Sequence, residues 1–122
     1  MAKKKKIVFC DDDPNWAYIL PELGQILGYD IKSVQSVEKC LELIMENPDL
    51  DLLITDIRMP GKSGYELIQD FQSQHPDKSV MVITAYDTNK LERFIDENKI
   101  ESFLLKPFSV NDFESSVEKY FS

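Results

Sequence analysis

Three aspartates stand side by side at Asp11, Asp12 and Asp13, directly after the stretch KIVFC. Carboxylates this close repel one another unless a cation neutralises them, and all-oxygen donors select a hard ion such as Mg²⁺. That ion keeps several waters and typically joins one or two carboxylates to a phosphate. A phosphoryl group bound there also needs an ammonium for its charge and a hydroxyl for one of its oxygens. Asp56 follows the apolar run LLIT, Thr84 ends VMVIT, and Lys106 follows SFLL. Each polar residue therefore stands at the same end of its own run. A lone acidic residue after a strand is usually a cap or a solvated loop residue. Asp13 before Pro14 reads as such a cap, with proline at the first helical position. The joint pattern is harder to assign to caps, and one of the carboxylates could be a nucleophile, since aspartyl phosphate is a known covalent intermediate.

The elements that must position these residues follow from patterning. Strands are expected at Lys6–Cys10, Asp30–Val34, Leu52–Thr55, 80–84 and 102–105, and helices at Pro14–Leu27, 37–47, 64–73, 88–98 and 110–121. Several of the strand runs are almost unbroken aliphatic sequence, the pattern of parallel strands covered on both faces. A succession of βα units with short connections predicts a doubly wound α/β sheet with right-handed crossovers. In such a sheet, ligands bind outside the carboxyl ends of the strands, where every candidate residue falls. Gly28 is the expected C-cap of the first helix, Asn47-Pro48 closes the second, and Ser109 caps the fifth. Ser36 with Lys39 is no capping box, so the second helix starts less sharply. Pro21 inside the first helix predicts a kink or a restart. In the fifth helix, Val110, Phe113, Val117, Tyr120 and Phe121 should form one buried stripe. No linker or repeat interrupts the chain, and residues 1–122 are expected to be a single domain.

Composition narrows the functions. A net charge of -8 argues against direct binding of nucleic acid, whose affinity rests on Lys and Arg neutralising phosphates. Lys3 to Lys6 form the one basic run and read as a solvated strand entrance. Cys10 and Cys40 lack CxxC spacing and read as small core residues. His75, the sole histidine, reads as a loop residue. No apolar run approaches the ~20 residues of a membrane span, and the N-terminus lacks a signal-peptide pattern, so no membrane association and a cytoplasmic location are expected.

On these residues the sequence resembles the response-regulator receiver domains of two-component signalling. The resemblance spans essentially the whole chain. It rests on Asp11-Asp12 with Pro14 close behind, on DIRMPGKSG with Asp56, Pro60 and Gly64 in D-x-x-x-P-x-x-x-G spacing, on Thr84 in ITAY, and on Lys106-Pro107-Phe108. It implies a flavodoxin-like five-stranded parallel sheet in the order 2-1-3-4-5, flanked by five helices. It further implies that Asp56 is the phosphoacceptor. Asp12 would hold Mg²⁺ directly and Asp11 mainly through water, with Asp56 and the Arg58 backbone carbonyl completing the ligands. Lys106 would pair with the phosphoryl oxygens, Thr84 and Phe103 would be the switch residues, and Pro107 would follow a cis bond. The donor would be a phosphohistidine of a histidine kinase or histidine phosphotransfer protein. A downstream output domain or target protein would then read the face made by the fourth helix, fifth strand and fifth helix. Such a domain is a signalling phosphoacceptor, not an enzyme in the ordinary sense, although it promotes its own phosphorylation and slow dephosphorylation.

The chain also departs from the family pattern. Phe103 replaces the commoner tyrosine and can only repack. Lys99-Ile100 stands where many receivers have Gly-Ala, so either Asn98 makes a left-handed turn or the loop is reshaped. Arg58 and Tyr86 would flank the line of water attack and shield an acyl phosphate. Of Trp16, Tyr18, Ile19 and Leu20 about half must face the core, and the exposed ones suit docking of a helical, histidine-bearing partner. Two rival readings remain. A haloacid-dehalogenase-type phosphohydrolase needs D-x-D-x-T, whereas Asp11, Asp13 and Asn15 supply D-x-D-x-N. A degenerate receiver acting as a protein-binding module is disfavoured by the complete set of Asp, Thr and Lys.

Overall fold

Alternate residues of β1 (Lys6–Cys10) enter different cores, which is why the run has no polar alternation. Val8 and Cys10 pack with residues of α2 (Val37–Glu46), α3 (Gly64–Gln74) and α4 (Asn89–Glu97), including Cys40, Leu67, Phe71 and Leu91. Ile7 and Phe9 pack with α1 (Pro14–Leu27) and α5 (Val110–Glu118) through Leu20, Leu23, Phe113 and Val117. All four residues of β3 (Leu52–Thr55) are likewise fully buried. With β2 (Asp30–Val34), β4 (Ser79–Thr84) and β5 (Phe103–Leu105), these strands make one five-stranded sheet in the order β2-β1-β3-β4-β5. Every pairing is parallel. This is the doubly wound, flavodoxin-like arrangement, seen in a computed structural model that describes residues 4–59, 61 and 63–121. Lys3 and Pro60, used in the sequence reading, lie outside the described residues.

Register brings the polar residues together. Cys10 pairs with Thr55, so Asp11 and Asp56 leave the sheet side by side, and the Asp56 amide donates to the Cys10 carbonyl at 2.9 Å. Thr84 pairs with Leu105, and the Lys106 amide donates to the Thr84 carbonyl at 2.8 Å.

Local signals account for most helix ends. Asp13 caps α1 by accepting from the Asn15 amide at 2.9 Å, and Gly28 ends that helix in the left-handed region at φ 86°. Ser36 accepts from Lys39 N–H at 3.2 Å, Ser63 from Glu66 N–H at 3.3 Å, and Ser109 from Asp112 N–H at 3.0 Å. At Pro21 and Asn98 one of two stated alternatives is excluded, and two expectations for α5 need correction. Pro21 causes no restart: α1 runs unbroken across it, because Ala17, Leu20, Leu23 and Gly24 all bury on the sheet and outweigh one missing backbone bond. Asn98 is not the left-handed residue. Its φ is -102° and its side-chain amide donates to the Phe94 carbonyl at 2.9 Å, while Lys99 takes φ 56°. Val110 is 49% exposed, so the buried stripe of α5 begins at Phe113. The α-helix also ends at Glu118, and Tyr120 lies beyond it, donating its hydroxyl to the Val80 carbonyl at 2.9 Å.

Gly64 shows why a side chain is excluded where α3 meets the loop after β3. A Cβ there would lie 2.1 Å from the Asp56 carbonyl oxygen and 2.7 Å from Ile57 Cα. Both are backbone atoms and cannot swing aside. Gly64→Ala is expected to destabilise the fold by about 2 kcal/mol or more. Urea denaturation checks this, and a midpoint equal to the parent's would contradict it.

Candidate functional site

The Lys106 ammonium closes the centre of the site. It forms ion pairs with Asp11 Oδ2 and, at 3.0 Å, with Asp56 Oδ2. Asp11 is fully buried, Asp56 is buried, and Asp12 is exposed at the rim. One carboxylate oxygen from each of the three lies within 4.8 Å of the others. The Oδ1 atoms of Asp11 and Asp56 are held by backbone. Asp11 Oδ1 accepts from the Asp13 amide at 3.0 Å, and Asp56 Oδ1 accepts from the Ile57 amide at 2.6 Å and the Arg58 amide at 3.4 Å.

Electrostatics follow from this burial. Loss of water pushes the Asp11 pKa up, against the opposing pull of Lys106 and the Asp13 amide. Burial works against the charge on Lys106 as well, but its bonds to Asp11 and Asp56 prevail and hold its pKa above the usual lysine value. The ammonium is the counter-charge that makes two buried carboxylates tolerable. A donor set made only of carboxylate oxygens, open at Asp12, also suits a hard divalent cation.

Around this centre, Thr84 ends β4 almost fully buried, its hydroxyl accepting from the Tyr86 amide at 3.3 Å. Phe103 is half-buried and packs against the core shared with α4. The Arg58 guanidinium lies over the Tyr86 ring, 3.9 Å from its centroid. These two residues help line a cleft of about 680 Å³ with Met59, Tyr65, Thr84 and Leu91. The Lys106-Pro107 bond is cis. Cys10 and Cys40 are buried free thiols, and His75 caps the end of α3 against Phe71. On α1, Tyr18 is 71% and Ile19 43% exposed, whereas Leu20 is buried. Trp16 is half-buried and belongs to the inward-facing part of this cluster. It stacks on Phe108 and lies beneath Lys106, a contact that no local pattern signals because its partners are about ninety residues away.

The comparisons with known proteins agree with the fold. The family described as response regulator receiver domain matches residues 7–118, so the chain belongs to that family and is a receiver domain of the two-component response regulators. It is similar to the response regulator receiver protein CpdR of Brucella abortus, 30% identical over 94% of this chain and 95% of that one. The response regulator protein PilR of Pseudomonas aeruginosa is 35% identical over 68% of this chain but only 18% of its own length. The chain spans about half the length of two further curated regulators that it matches. Among solved structures, the response regulator protein TrrA of Thermotoga maritima, in complex with Mg²⁺ and BeF, superimposes with a TM-score of 0.84. It shares 28% identity, with 95% of this chain and 98% of that one covered. No helix among the described residues is long and apolar enough to cross a membrane.

Proposed function

We propose that this chain, acting as one domain over residues 1–122 in the cytoplasm, accepts a phosphoryl group on Asp56 from a phosphohistidine of a histidine kinase or histidine phosphotransfer protein. The observation that carries the reading is the ion pair of Lys106 with Asp56, set beside the Asp11 and Asp12 carboxylates at the carboxyl edge of the sheet. In the reaction, an Asp56 carboxylate oxygen attacks phosphorus. The P–O bond forms as the P–N bond to imidazole breaks, and the imidazole keeps the electron pair and takes up a proton. The Ile57 and Arg58 amides orient the Asp56 carboxylate through Oδ1. Lys106 meets the phosphoryl charge beside Oδ2, and the Thr84 hydroxyl is the nearby donor for a phosphoryl oxygen. Asp11, Asp12, Asp56 and the Arg58 carbonyl would hold Mg²⁺, which supplies positive charge against that of the phosphoryl oxygens. The product shifts a two-state equilibrium in which Thr84 and Phe103 move together, and α4, β5 and α5 present the result to an output domain or target protein.

Incubation with Mg²⁺ and acetyl phosphate tests the reading. A mass gain of one phosphoryl group per chain supports it. Steady release of phosphate from added phosphomonoesters would replace it with a hydrolase, and no mass gain would leave a binding module.

The Arg58–Tyr86 pair, which lines the cleft with Thr84, would shield an acyl phosphate from water and lengthen its lifetime. Tyr86→Ala and Arg58→Ala are each expected to shorten the phosphoryl half-life by about threefold or more. Half-lives equal to the parent's, followed by loss of label after donor removal, would reject the shield.

A further inference from the structure

The only tryptophan of the chain stands in the first turn of α1, with the most important cation of the site over its ring. Lys106 Nζ lies 5.4 Å from the Trp16 ring centroid. The indole is itself held from behind: Trp16 stacks on Phe108 at 4.8 Å and 28°, and Phe108 stacks on Phe113 at 5.8 Å and 21°. Phe113 is fully buried on α5, so the stack is anchored in the core. The Lys106 side chain is only 9% exposed, and a cation over an aromatic face gains most where water is excluded.

We propose that Trp16 is a positioning residue for Lys106: its indole face holds the ammonium in place while the charge around Asp56 changes during phosphoryl transfer. The inference rests on the phosphoacceptor reading and adds to it a residue outside the carboxylate, hydroxyl and lysine set. A lysine has a flexible four-carbon stem and a compact charge, so its location depends on its partners. Here two of those partners are Asp11 and Asp56. Phosphorylation converts the Asp56 carboxylate into an acyl phosphate, so one of the two ion pairs must be exchanged for a pair with phosphoryl oxygens during the reaction. The indole face is a partner that the reaction leaves unaltered. A ring serving only as core filler has no need of the quadrupole, and phenylalanine or leucine would serve as well. A ring that holds a cation ranks tryptophan above phenylalanine and phenylalanine above leucine.

The test uses Trp16→Phe, Trp16→Leu and Lys106→Met. With acetyl phosphate and Mg²⁺, the rate constant of Asp56 labelling is expected to fall about threefold in Trp16→Phe and about tenfold in Trp16→Leu, measured below each variant's thermal midpoint. Equal rates in the three proteins, or equal losses in Phe and Leu, would overturn the proposal. Fluorescence supplies a second arm that needs no phosphorylation and no change at Trp16. Lys106→Met is expected to change the indole emission and to abolish its response to Mg²⁺ with beryllofluoride. Emission that coincides with the parent's in both conditions would overturn the proposal, even if Trp16→Leu fails to fold. If the parent itself takes no label, the phosphoacceptor reading fails, while the emission of Lys106→Met still decides whether Trp16 holds the ammonium.

Discussion

Asp56→Asn is expected to take up no phosphoryl group while keeping its fold. The asparagine carbonyl oxygen still accepts from the Ile57 and Arg58 amides, which hold Oδ1 of the parent at 2.6 and 3.4 Å. Its amide nitrogen has no lone pair free to attack phosphorus and cannot accept from Lys106. The ammonium then turns to Asp11 alone, where its ion pair is already made. One negative charge leaves a crowded site, so stability in Mg²⁺-free buffer should change by less than about 1 kcal/mol. Labelling by acetyl phosphate should fall by at least about a hundredfold, because the nucleophile itself is gone. Intact-mass spectrometry reads the labelling and thermal denaturation reads the fold. Undiminished labelling would move the acceptor elsewhere in the chain.

Lys106→Met has the second large effect, and it acts on both rate and stability. The substitution removes an ammonium bonded to two carboxylates, one of them fully buried. Asp11 is left with the Asp13 amide, and burial already pushes its pKa up. In Mg²⁺-free buffer the variant should therefore lose about 1–3 kcal/mol of stability, the cost of an unpaired buried charge softened by proton uptake. Labelling should fall by about a hundredfold or more, because the charge beside the arriving phosphoryl group is gone. The response to Mg²⁺ should move the other way. In the parent a divalent cation competes with an ammonium for Asp11 and Asp56, and in the variant it does not. Thermal melts with and without Mg²⁺ should show a larger stabilisation of Lys106→Met than of the parent. A smaller stabilisation would mean that these carboxylates do not share one cation site.

Local chemistry was the most legible part of the chain. Asp13-Pro14, Gly28 and Ser109 mark their helix ends through single side-chain or dihedral preferences, and each occupies the expected cap, whereas Ser36, read as a softer start, caps α2 outright. The unbroken runs around Phe9 and Ile54 forced a parallel sheet with two covered faces, and that sheet brings Asp11, Asp56 and Lys106 to one edge. Where local rules compete with packing, the reading fails. Pro21 left a kink or a restart open, and burial of its neighbours carries α1 across it without a restart. Lys99 takes the left-handed turn because Asn98 is engaged with Phe94. The shared edge was legible, but the individual bonds that register makes over long separations were not. Lys106 bonds Asp11 across 95 residues, and the Tyr120 hydroxyl reaches Val80 across 40. Trp16 belongs with these: about half of its cluster on α1 had to face inward, and the fold sets its ring against Lys106 while Tyr18 and Ile19 stay exposed.

The most direct test of the central claim is to locate the acyl phosphate. After labelling with acetyl phosphate and Mg²⁺, borohydride reduction converts a phosphorylated aspartate into homoserine, which peptide mass spectrometry assigns to one position. Homoserine at residue 56 is the predicted result. Homoserine at Asp11, Asp12 or any other aspartate, or none in a labelled protein, would contradict it.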